Sequence, residues 1–439
     1  MHELRVLNEL EEGRQVEGQV SPQGTPVSRP RSEFAQFWSL DPDVLYLNHG
    51  SFGACPTPVL AAQSRFRARL EREPVWFLAH ELEPLLDEAR AAVARFVGVD
   101  PDDLAFVPNA TTGVSTVLRS LAFDPGDELL TTSHEYNACR NALDFVAART
   151  GARVVFAEVP FPCPSPDDVV ASVLRCVTPR TKLGLFDHVT SLTGMVMPIQ
   201  RLVAEFSSRG IDTLVDGAHA PGMLPLNIGA LGPTYYTGNC HKWLCAPKGA
   251  ALLYVRRDRQ EIVHPLTVSH GANSRRTERS RFRLEFDWTG TMDPSPYLCV
   301  PVSIRFLGSL LPGGWPELME RNRALALAAR TLLCEAFGVE SPCPDEMIGT
   351  LASVPFARGP YRFEVTALDF DPLEKALRER YRIEVPVLAT PTGPGSIVRI
   401  SAQVYNCLGQ YEELVRALGE LGAVTAARGT AAGGSRAAS

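Results

Sequence analysis

An alternation of short apolar runs with amphipathic stretches is the feature that most restricts how this chain can fold. Helical spacing separates several of the apolar runs, as in Pro198–Ser208. Continuous apolar strands connected by helices favour a mostly parallel sheet covered on both faces, which is an α/β fold. In such sheets, ligands bind at the carboxyl ends of the strands. The predicted strands are Leu104–Val107, Leu129–Thr132, Val154–Phe156, Leu183–Phe186, Thr213–Val215 and Ala250–Val255.

The pattern changes after about residue 300, and we predict a second, smaller α/β domain there. The large domain is expected to cover residues 34–300, with its N-terminal segment packed on the small domain, which covers 301–425. Residues 1–33 are expected to form a flexible polar extension, and residues 426–439 a disordered tail. The elements expected in the small domain are strands near Thr350–Val354, at Ile383–Val387 and at Val398–Ser401, helices Pro316–Phe337 and Pro372–Tyr381, and a last helix with an apolar stripe of Tyr411, Leu414, Val415, Leu418 and Leu421.

Composition excludes several classes of function. The chain has 43 Lys and Arg against 50 Asp and Glu, a net charge of −7, which makes it a poor candidate for binding nucleic acid. No apolar run reaches the ~18 residues that a membrane-spanning helix needs. The N-terminal residues lack the apolar core of a signal peptide, and the 10 Cys are scattered singly. These features favour reduced thiols and a cytoplasmic location.

Lys242 is the first candidate for chemistry. It lies in a turn rich in Gly, Asn and His, which follows a Tyr-Tyr pair and leads into a strand. Burying an ammonium group without a partner is costly, and a desolvated lysine has a lowered pKa and can form a Schiff base. A surface-loop lysine is the ordinary interpretation of a lone residue of this kind, so the prediction depends on its neighbours.

Asp216 ends a predicted apolar strand and is followed by Gly217 and, three residues on, by His219. A carboxylate buried at that position needs a cationic partner, or its pKa rises. The protonated pyridine nitrogen of pyridoxal phosphate would be such a partner, because an Asp facing that nitrogen opposite a Schiff-base lysine is a known pairing. Taken alone, Asp216 could be a turn residue and His219 a core histidine.

A third element is the turn Pro108-Asn-Ala-Thr-Thr-Gly, which opens a helix. Free N–H groups and the positive end of the helix dipole suit a phosphate, and the hydroxyls of Thr111 and Thr112 add donors. This turn is a weak signal by itself, since many helix N-termini look similar. The phosphate turn, the strand-end Asp216 and the turn Lys242 together form a strong pattern on an α/β chain.

With these residues in place, the sequence resembles the class V aminotransferase group of fold-type I pyridoxal-phosphate enzymes, and most of all the isopenicillin N epimerase-like branch, which also contains C–S lyases. The resemblance implies a large domain with a mostly parallel seven-stranded sheet, a smaller C-terminal α/β domain, pyridoxal 5'-phosphate as cofactor, and no metal ion. It also implies a homodimer with composite active sites. The segments that carry it, between about Tyr46 and Leu421, are Tyr46-Leu-Asn-His-Gly-Ser-Phe-Gly, Ala110-Thr-Thr-Gly, His134-Glu-Tyr-Asn, Asp216-Gly-Ala-His-Ala-Pro-Gly and Asn239-Cys-His-Lys-Trp-Leu.

The resemblance implies a role for individual residues. Lys242 looks like the lysine that carries the cofactor, Asp216 like the partner of the pyridinium nitrogen, and Tyr136 or Asn137 like the group on the ring face. Tyr136 is preferred, because an aromatic face gives more stacking area. Arg399 looks like the bidentate clamp for the substrate carboxylate. The remaining expected contacts are His219 and Ser191 at the phenolic oxygen, Thr111, Thr112, Asn239 and His241 at the phosphate, Thr291 reaching the phosphate from a partner subunit, and Asn48 and His49 at the substrate.

Several reactions are compatible with such a site. β-Elimination from an S-substituted cysteine needs only Lys242 as base and a leaving group, whereas epimerisation also needs an acid on the opposite face, for which Tyr136 is the candidate. We therefore expect a β-eliminating C–S lyase, with an amino-acid epimerase or racemase as the alternative. Decarboxylation, oxidative deamination and, less favoured, transamination stay open. A catalytically dead ligand-binding homologue is disfavoured by the intact Lys242 and Asp216.

Two further segments bear on function. Residues 385–396 contain no Cys, and this disfavours a cysteine desulfurase, which needs a thiolate there. The basic segment Arg275–Arg283 is most simply a solvated loop. Its alternative interpretation is recognition of an acidic substrate arm or of the neighbouring subunit.

Overall fold

The computed structural model describes residues 29–356, 371–391 and 395–423. Most of the predicted N-terminal extension and all of the predicted C-terminal tail lie outside the described residues. The strands are β1 (Leu45–Tyr46), β2 (Leu104–Val107), β3 (Glu128–Thr132), β4 (Arg153–Ala157), β5 (Thr181–Asp187), β6 (Asp212–Asp216), β7 (Tyr235–Asn239), β8 (Ala251–Val255), β9 (Leu351–Phe356), β10 (Ile383–Glu384), β11 (Val387–Ala389) and β12 (Ser396–Ser401).

The helices of the described residues alternate with these strands. The longer ones are Thr57–Arg72, Leu82–Val97, Ala110–Ser120, Asn137–Thr150, Pro166–Leu174, Ile199–Ser208, Val300–Gly308, Gly314–Phe337, Pro372–Tyr381 and Leu408–Glu420. Shorter helical segments are His49–Phe52, Pro74–Trp76, Ile228–Leu231, Arg281–Phe286 and Ser295–Leu298. Within the described residues, no helix combines the length and the apolar character that crossing a membrane requires.

Seven strands form the central sheet in the order β2-β8-β7-β6-β5-β3-β4. The strand β8 runs antiparallel to its neighbours β2 and β7, and the other pairings are parallel, so the predicted mostly parallel sheet is confirmed. Six of these strands were predicted one by one. The seventh, β7, was seen only as a Tyr-Tyr pair before a turn, because Thr237, Gly238 and Asn239 carry no apolar signal.

Helices cover both faces of this sheet, and the side chains of each strand alternate between them. In β6, Leu214 packs with Val114 and Leu143 from two helices on one face, while Val215 belongs to the apolar cluster on the opposite face. The helix Ala110–Ser120 approaches β7 so closely that a Cβ at Gly113 would lie 2.2 Å from the Thr237 hydroxyl oxygen. A glycine is therefore needed where this helix crosses the sheet.

The C-terminal part contains a three-stranded antiparallel sheet in the order β11-β12-β9. The single strand predicted at residues 383–387 is divided into β10 and β11, because Pro386 lacks the N–H that a continuous ladder would use. The strand β10 instead pairs in parallel with β1, so that Leu45 lies opposite Ile383. Arg31–Ser439 forms one compact unit by its internal contacts, and the predicted boundary near residue 300 stays a prediction.

Candidate active site

Lys242 lies in the turn between β7 and β8, at the edge of the sheet where the parallel strands end. Its Nζ is 3.0 Å from Nε2 of His219. Burial lowers the pKa of Lys242 to about 8, although Asp216 acts in the opposite direction. An amine with this pKa is partly uncharged near neutral pH, which is the form that can attack a carbonyl carbon.

The ring of His219 is held from both sides. Trp243 donates a long hydrogen bond from its indole N–H to Nδ1 of His219 (3.4 Å). Because an indole nitrogen can only donate, Nδ1 is the acceptor and the neutral ring carries its proton on Nε2, facing Lys242. Burial, followed by the charge of Lys242, lowers the pKa of His219 well below its ordinary value. The pair therefore matches a neutral histidine that donates to a lysine amine.

The turn that carries Lys242 is braced by the N-terminal segment. His49 lies within hydrogen-bond distance of the Tyr405 hydroxyl through Nδ1 (2.7 Å) and of the Lys242 carbonyl oxygen through Nε2 (3.0 Å). A Cβ at Gly53, which has a φ of +71°, would lie 2.1 Å from the carbonyl oxygen of His241. Both ring nitrogens of His49 thus have partners inside the protein, and this geometry gives His49 a supporting position; its predicted contact with substrate stays a prediction.

Asp216 ends β6 and is 2% exposed. Its Oδ1 accepts a hydrogen bond from the Ala218 N–H (2.9 Å), and its Oδ2 accepts one from the Cys139 thiol (3.2 Å). Burial raises the pKa of Asp216, while the two hydrogen bonds and Lys242 oppose this rise. The structure thus brings Asp216 close enough to Lys242 for their charges to act on each other, as the sequence predicted.

Three residues near Asp216 were missed. Asp187 ends β5 and lies opposite Asp216 in the pairing of β5 with β6. Glu135 follows β3, and Cys139 lies in the first turn of the helix Asn137–Thr150. A signal for Asp187 was present, since it ends an apolar strand just as Asp216 does. Cys139 gave no such signal, because a single cysteine in a helix is usually a core residue.

The predicted phosphate turn forms the N-terminus of the helix Ala110–Ser120. Asn109 caps it by accepting hydrogen bonds from the N–H (2.8 Å) and the hydroxyl (3.0 Å) of Thr112. Asn239 accepts a hydrogen bond from the Ala110 N–H (2.8 Å) and so joins β7 to this turn. Among the described residues, Thr111 has no such partner for its N–H or its hydroxyl. The turn therefore offers unused donors beside the end of β7.

The other predicted cofactor contacts differ in how far their side chains are exposed to solvent. His241 uses Nδ1 to contact the Ala250 carbonyl oxygen (2.9 Å), and burial lowers its pKa to about 4. Tyr136, just before the helix Asn137–Thr150, is 45% exposed, and Asn137 is exposed as well. Burial of the Tyr136 hydroxyl raises its pKa, and Arg399 partly offsets this rise. Ser191 is half-buried and presents its carbonyl oxygen to Arg399.

Arg399 is a buried cation without a carboxylate partner among the described residues. It lies on β12, the central strand of the small sheet, and is 5% exposed. Its guanidinium donates to the Ser191 carbonyl oxygen, to the Ser51 hydroxyl (2.7 Å) and, more weakly, to Asn48 Oδ1 (3.4 Å), while Nε has no partner. Burial lowers the pKa of Arg399 to about 10. Such a group is suited to meet an anionic ligand.

Thr291 is exposed and lies on the segment that follows the helix Arg281–Phe286. The preceding Gly290 lines a cavity of about 130 Å³ together with Pro108 and Thr112 from the phosphate turn. The segment therefore runs beside the phosphate turn of its own chain. Whether Thr291 reaches the site of a partner subunit stays a prediction.

The basic segment Arg275–Arg283 is a solvated loop only in part: Arg275, Arg276 and Arg281 are exposed, whereas Arg283 is buried. Arg283 donates to Asp102 (2.5 Å) and Asp87, and Arg279 donates to Asp87 (2.9 Å). The same network includes the buried pair of Arg90 with Asp287, and Arg276 with Glu83 (2.6 Å). Arg276, Arg279 and Arg283 thus bind carboxylates of their own chain, whereas Arg281 donates to the carbonyl oxygens of Gly271 and Ser274.

Comparisons with known proteins agree with this geometry. The sequence profile described as Aminotransferase class-V matches residues 52–285. Isopenicillin N epimerase of Amycolatopsis lactamdurans is 38% identical over 397 residues, which cover 87% of this chain and 96% of that protein. A probable chloroplastic L-cysteine desulfhydrase of Arabidopsis thaliana is 32% identical over 420 residues, covering 90% of this chain and 86% of that protein.

Among solved structures, the fold is shared with two enzymes of low sequence identity. A cysteine desulfurase, CsdA of Escherichia coli, superposes with a TM-score of 0.70 at 20% identity, covering 90% of this chain and 98% of that one. The cystine C–S lyase C-DES, in complex with its product cysteine persulfide, gives a TM-score of 0.70 at 22% identity, covering 86% and 97%. The profile match, the two relatives and the shared fold lead to one conclusion: this chain belongs to the class V aminotransferase family.

Proposed function

We propose that this chain is a pyridoxal-phosphate-dependent enzyme that cleaves the C–S bond of cysteine or of an S-substituted cysteine by β-elimination. The observation that carries the proposal is the turn lysine Lys242, held 3.0 Å from a buried neutral His219 with its pKa lowered to about 8. L-Cysteine desulfhydrases among the relatives support this substrate class.

The residues present fit the cofactor. Thr111 has unused donors at a helix N-terminus, as a phosphate requires. Asp216 is a buried carboxyl without a direct cationic partner, as a pyridinium nitrogen requires. Lys242 would hold the cofactor covalently, and His219 would donate to its phenolic oxygen. When bound, pyridoxal phosphate supplies an electron-withdrawing ring that stabilises negative charge at the Cα of a substrate amino acid.

The protein's own groups account for the remaining steps. Arg399 would bind the substrate carboxylate through two parallel hydrogen bonds and so fix which Cα bond points at Lys242. The Lys242 amine, once free, would take the Cα proton, because its pKa lies near neutral pH. The sulfur at Cβ then leaves with its bonding electrons. This route needs one base and no second acid–base group.

Epimerisation is the second candidate function, favoured by the 38% identity to isopenicillin N epimerase. It would need a proton delivered to Cα from the face opposite Lys242. Tyr136 lies at the mouth of the site, and its raised pKa means that its hydroxyl keeps a proton at neutral pH. Tyr136 could therefore serve as that acid.

The two functions are separated by one experiment on the purified holoenzyme. Incubation with L-cysteine or an S-conjugate should release pyruvate, ammonia and a sulfur compound in equal amounts if the chain is a lyase. Incubation of a panel of amino acids in heavy water should give deuterium at Cα with loss of chirality, and no pyruvate, if it is an epimerase. Retention of pyruvate release by Tyr136→Phe is expected for the lyase, whereas an epimerase would lose its turnover.

We also propose that the chain works as a homodimer in the cytoplasm. Thr291 is exposed beside the phosphate turn, where a second subunit could meet it, and all 10 cysteines are free, as in a reducing compartment. Light scattering on the holoenzyme tests the dimer. Loss of cofactor retention in Thr291→Ala, with the dimer intact, would support a composite site.

A further inference from the structure

A cluster of buried acids lies at the carboxyl ends of the central strands. Glu135, Asp187 and Asp216 are 4%, 3% and 2% exposed. Glu135 Oε1 and Asp187 Oδ2 have no hydrogen-bond partner. Within the part of the chain that the structure describes, none of the three forms an ion pair with a lysine, arginine or histidine; Lys242 is the cation whose charge acts on Asp216 and Asp187.

Cys139 connects Glu135 to Asp216. Its thiol donates to Asp216 Oδ2 (3.2 Å), and the polar atoms of Glu135, Cys139 and Asp216 lie within 4.8 Å of one another. Both oxygens of Asp216 accept hydrogen bonds, since Oδ1 is bound to the Ala218 N–H (2.9 Å). Glu135 accepts from the Thr131 hydroxyl (2.9 Å) at Oε2, and this bond, the Tyr136 N–H and the Cys139 thiol act to lower its pKa against burial and the charge of Asp216.

Three carboxylates so close together and so deeply buried cannot all be charged, because each charge raises the energy of the next. Donors at both oxygens and the charge of Lys242 favour the ionised form at Asp216. Burial raises the pKa of Glu135 to about 8, and Asp216 adds to this rise. Burial also raises the pKa of Asp187, helped by Glu135 and Asp216.

We propose that Glu135 is a positioning residue that keeps a proton beside Asp216 and, with Cys139 as the link, leaves the single negative charge of the cluster on Asp216. The proposed function enters only in the identity of the cation that this charge meets, the pyridine nitrogen. With Glu135 neutral, the negative charge of Asp216 faces the positive charge of the pyridine nitrogen, and the acid cluster carries no further negative charge. Cys139 fixes the oxygen of Asp216 that its thiol contacts.

The test uses the full chain freed of cofactor, so that it does not depend on the proposed function. In the folded chain Glu135 keeps its proton up to about pH 8, whereas in the unfolded chain it loses it near 4.5. The unfolded state therefore binds fewer protons over this interval, and the free energy of unfolding of the wild type should fall with rising pH relative to Glu135→Gln. The difference should grow up to about pH 8 and then level off.

Glu128→Gln is the matched control. Glu128 is buried at the first position of β3 and also accepts a hydrogen bond from a threonine hydroxyl, that of Thr178 (2.5 Å). Its variant therefore controls for the loss of a buried, threonine-bound carboxylate as such. Parallel profiles for Glu135→Gln and the wild type would overturn the proposal. Should Glu135→Gln not fold, Asp216→Asn supplies the second measurement. Removing the charge of Asp216 should lower the pH at which the fall of the free energy of unfolding levels off. An unchanged levelling-off pH would overturn the proposal.

The contribution of the Cys139 thiol to Asp216 is tested separately, by the kinetics of the holoenzyme. Cys139→Ala removes a hydrogen bond to a charged group, and we expect kcat to fall about tenfold with little change in KM. Cys139→Ser restores a donor and should restore kcat. Equal kcat values in the wild type and Cys139→Ala would show that the thiol does not act through Asp216. Absence of cofactor binding in the wild type would instead refute the proposed function, and the unfolding profile would still decide on Glu135.

Discussion

Two groups of buried charges in this molecule are built on opposite rules. The network around Arg283 pairs its guanidinium groups with carboxylates of its own chain, so that Arg90, 1% exposed, contacts both Asp87 and Asp287. At the active site, Arg399 has no carboxylate partner and Asp216 no direct cationic one among the described residues. Burying an unmatched charge is costly, so an unmatched charge that persists marks a place for a ligand. The network around Arg283, whose charges are paired, has a structural role.

The largest effect is expected at Lys242. Lys242→Ala should abolish turnover and the visible absorption of a lysine-bound pyridoxal phosphate, because no other described amine contacts His219. Absorption spectra and pyruvate release measure both losses. Lys182→Ala, which removes an exposed lysine on β5, is the control and should keep both. Turnover in Lys242→Ala without an added amine would contradict the assignment.

Asp216→Asn should have the second-largest effect. The amide keeps the shape but offers no charge to a cation in a buried site, and we expect kcat to fall about 100-fold or more while the fold is retained. Steady-state kinetics and circular dichroism give the two readouts. A variant with wild-type kcat would place the pyridinium partner elsewhere and would weaken the contrast between the two charge groups.

Arg399→Lys should affect substrate binding more than chemistry. Lysine keeps the charge but lacks the two parallel N–H donors of a guanidinium group, so we expect KM to rise about tenfold with kcat changed little. Arg323→Lys is the control, because Arg323, like Arg399, has no carboxylate within hydrogen-bond distance among the described residues and donates to backbone carbonyl oxygens, in its case those of Ile348 and Asp345. A raised KM in the control alone would separate Arg399 from the substrate carboxylate.

Arg283→Met should change activity least. Its loss removes charged hydrogen bonds to Asp87 and Asp102, and because both carboxylates are partly exposed we expect the free energy of unfolding to fall by only about 1–2 kcal/mol. KM and kcat should stay within twofold of the wild type. Chemical denaturation measures the first quantity, and Arg275→Met, an exposed member of the same segment, should leave it unchanged. A large change in KM would show that this network contributes to substrate binding and not only to stability.

The sequence predicted the parts of the fold that depend on local pattern. Apolar runs such as Leu183–Phe186 identify buried parallel strands because both faces are covered. The strand β7 was harder to see, since its Thr-Gly-Asn end is selected by close packing and by the turn that follows. Pro386 is a local signal for the division into β10 and β11, but the pairing of β10 with β1 joins residues more than 300 positions apart. Such pairings have no local signal.

For the site, the sequence located the residues that stand in motifs and missed those that act through space. Lys242, Asp216 and the turn at Thr111 follow strands whose ends meet at one edge of the sheet. Glu135 stands in the segment His134-Glu-Tyr-Asn but received no role, Cys139 follows that segment, and their proximity to Asp216 exists only after folding. Arg279 and Arg283 were misjudged for a similar reason, because their partners Asp87 and Asp102 lie about 180–200 positions away in sequence.

The pairing of β1 with β10 has a consequence for synthesis on the ribosome. Leu45 can pair with Ile383 only after residue 383 has been synthesised, and His49 can contact Tyr405 only after residue 405. The central sheet can form earlier from residues 104–255, but the brace that holds the Lys242 carbonyl comes last. A chain released before residue 405 would therefore carry the lysine without its support. The support of the Lys242 turn is therefore complete only once residue 405 has been synthesised.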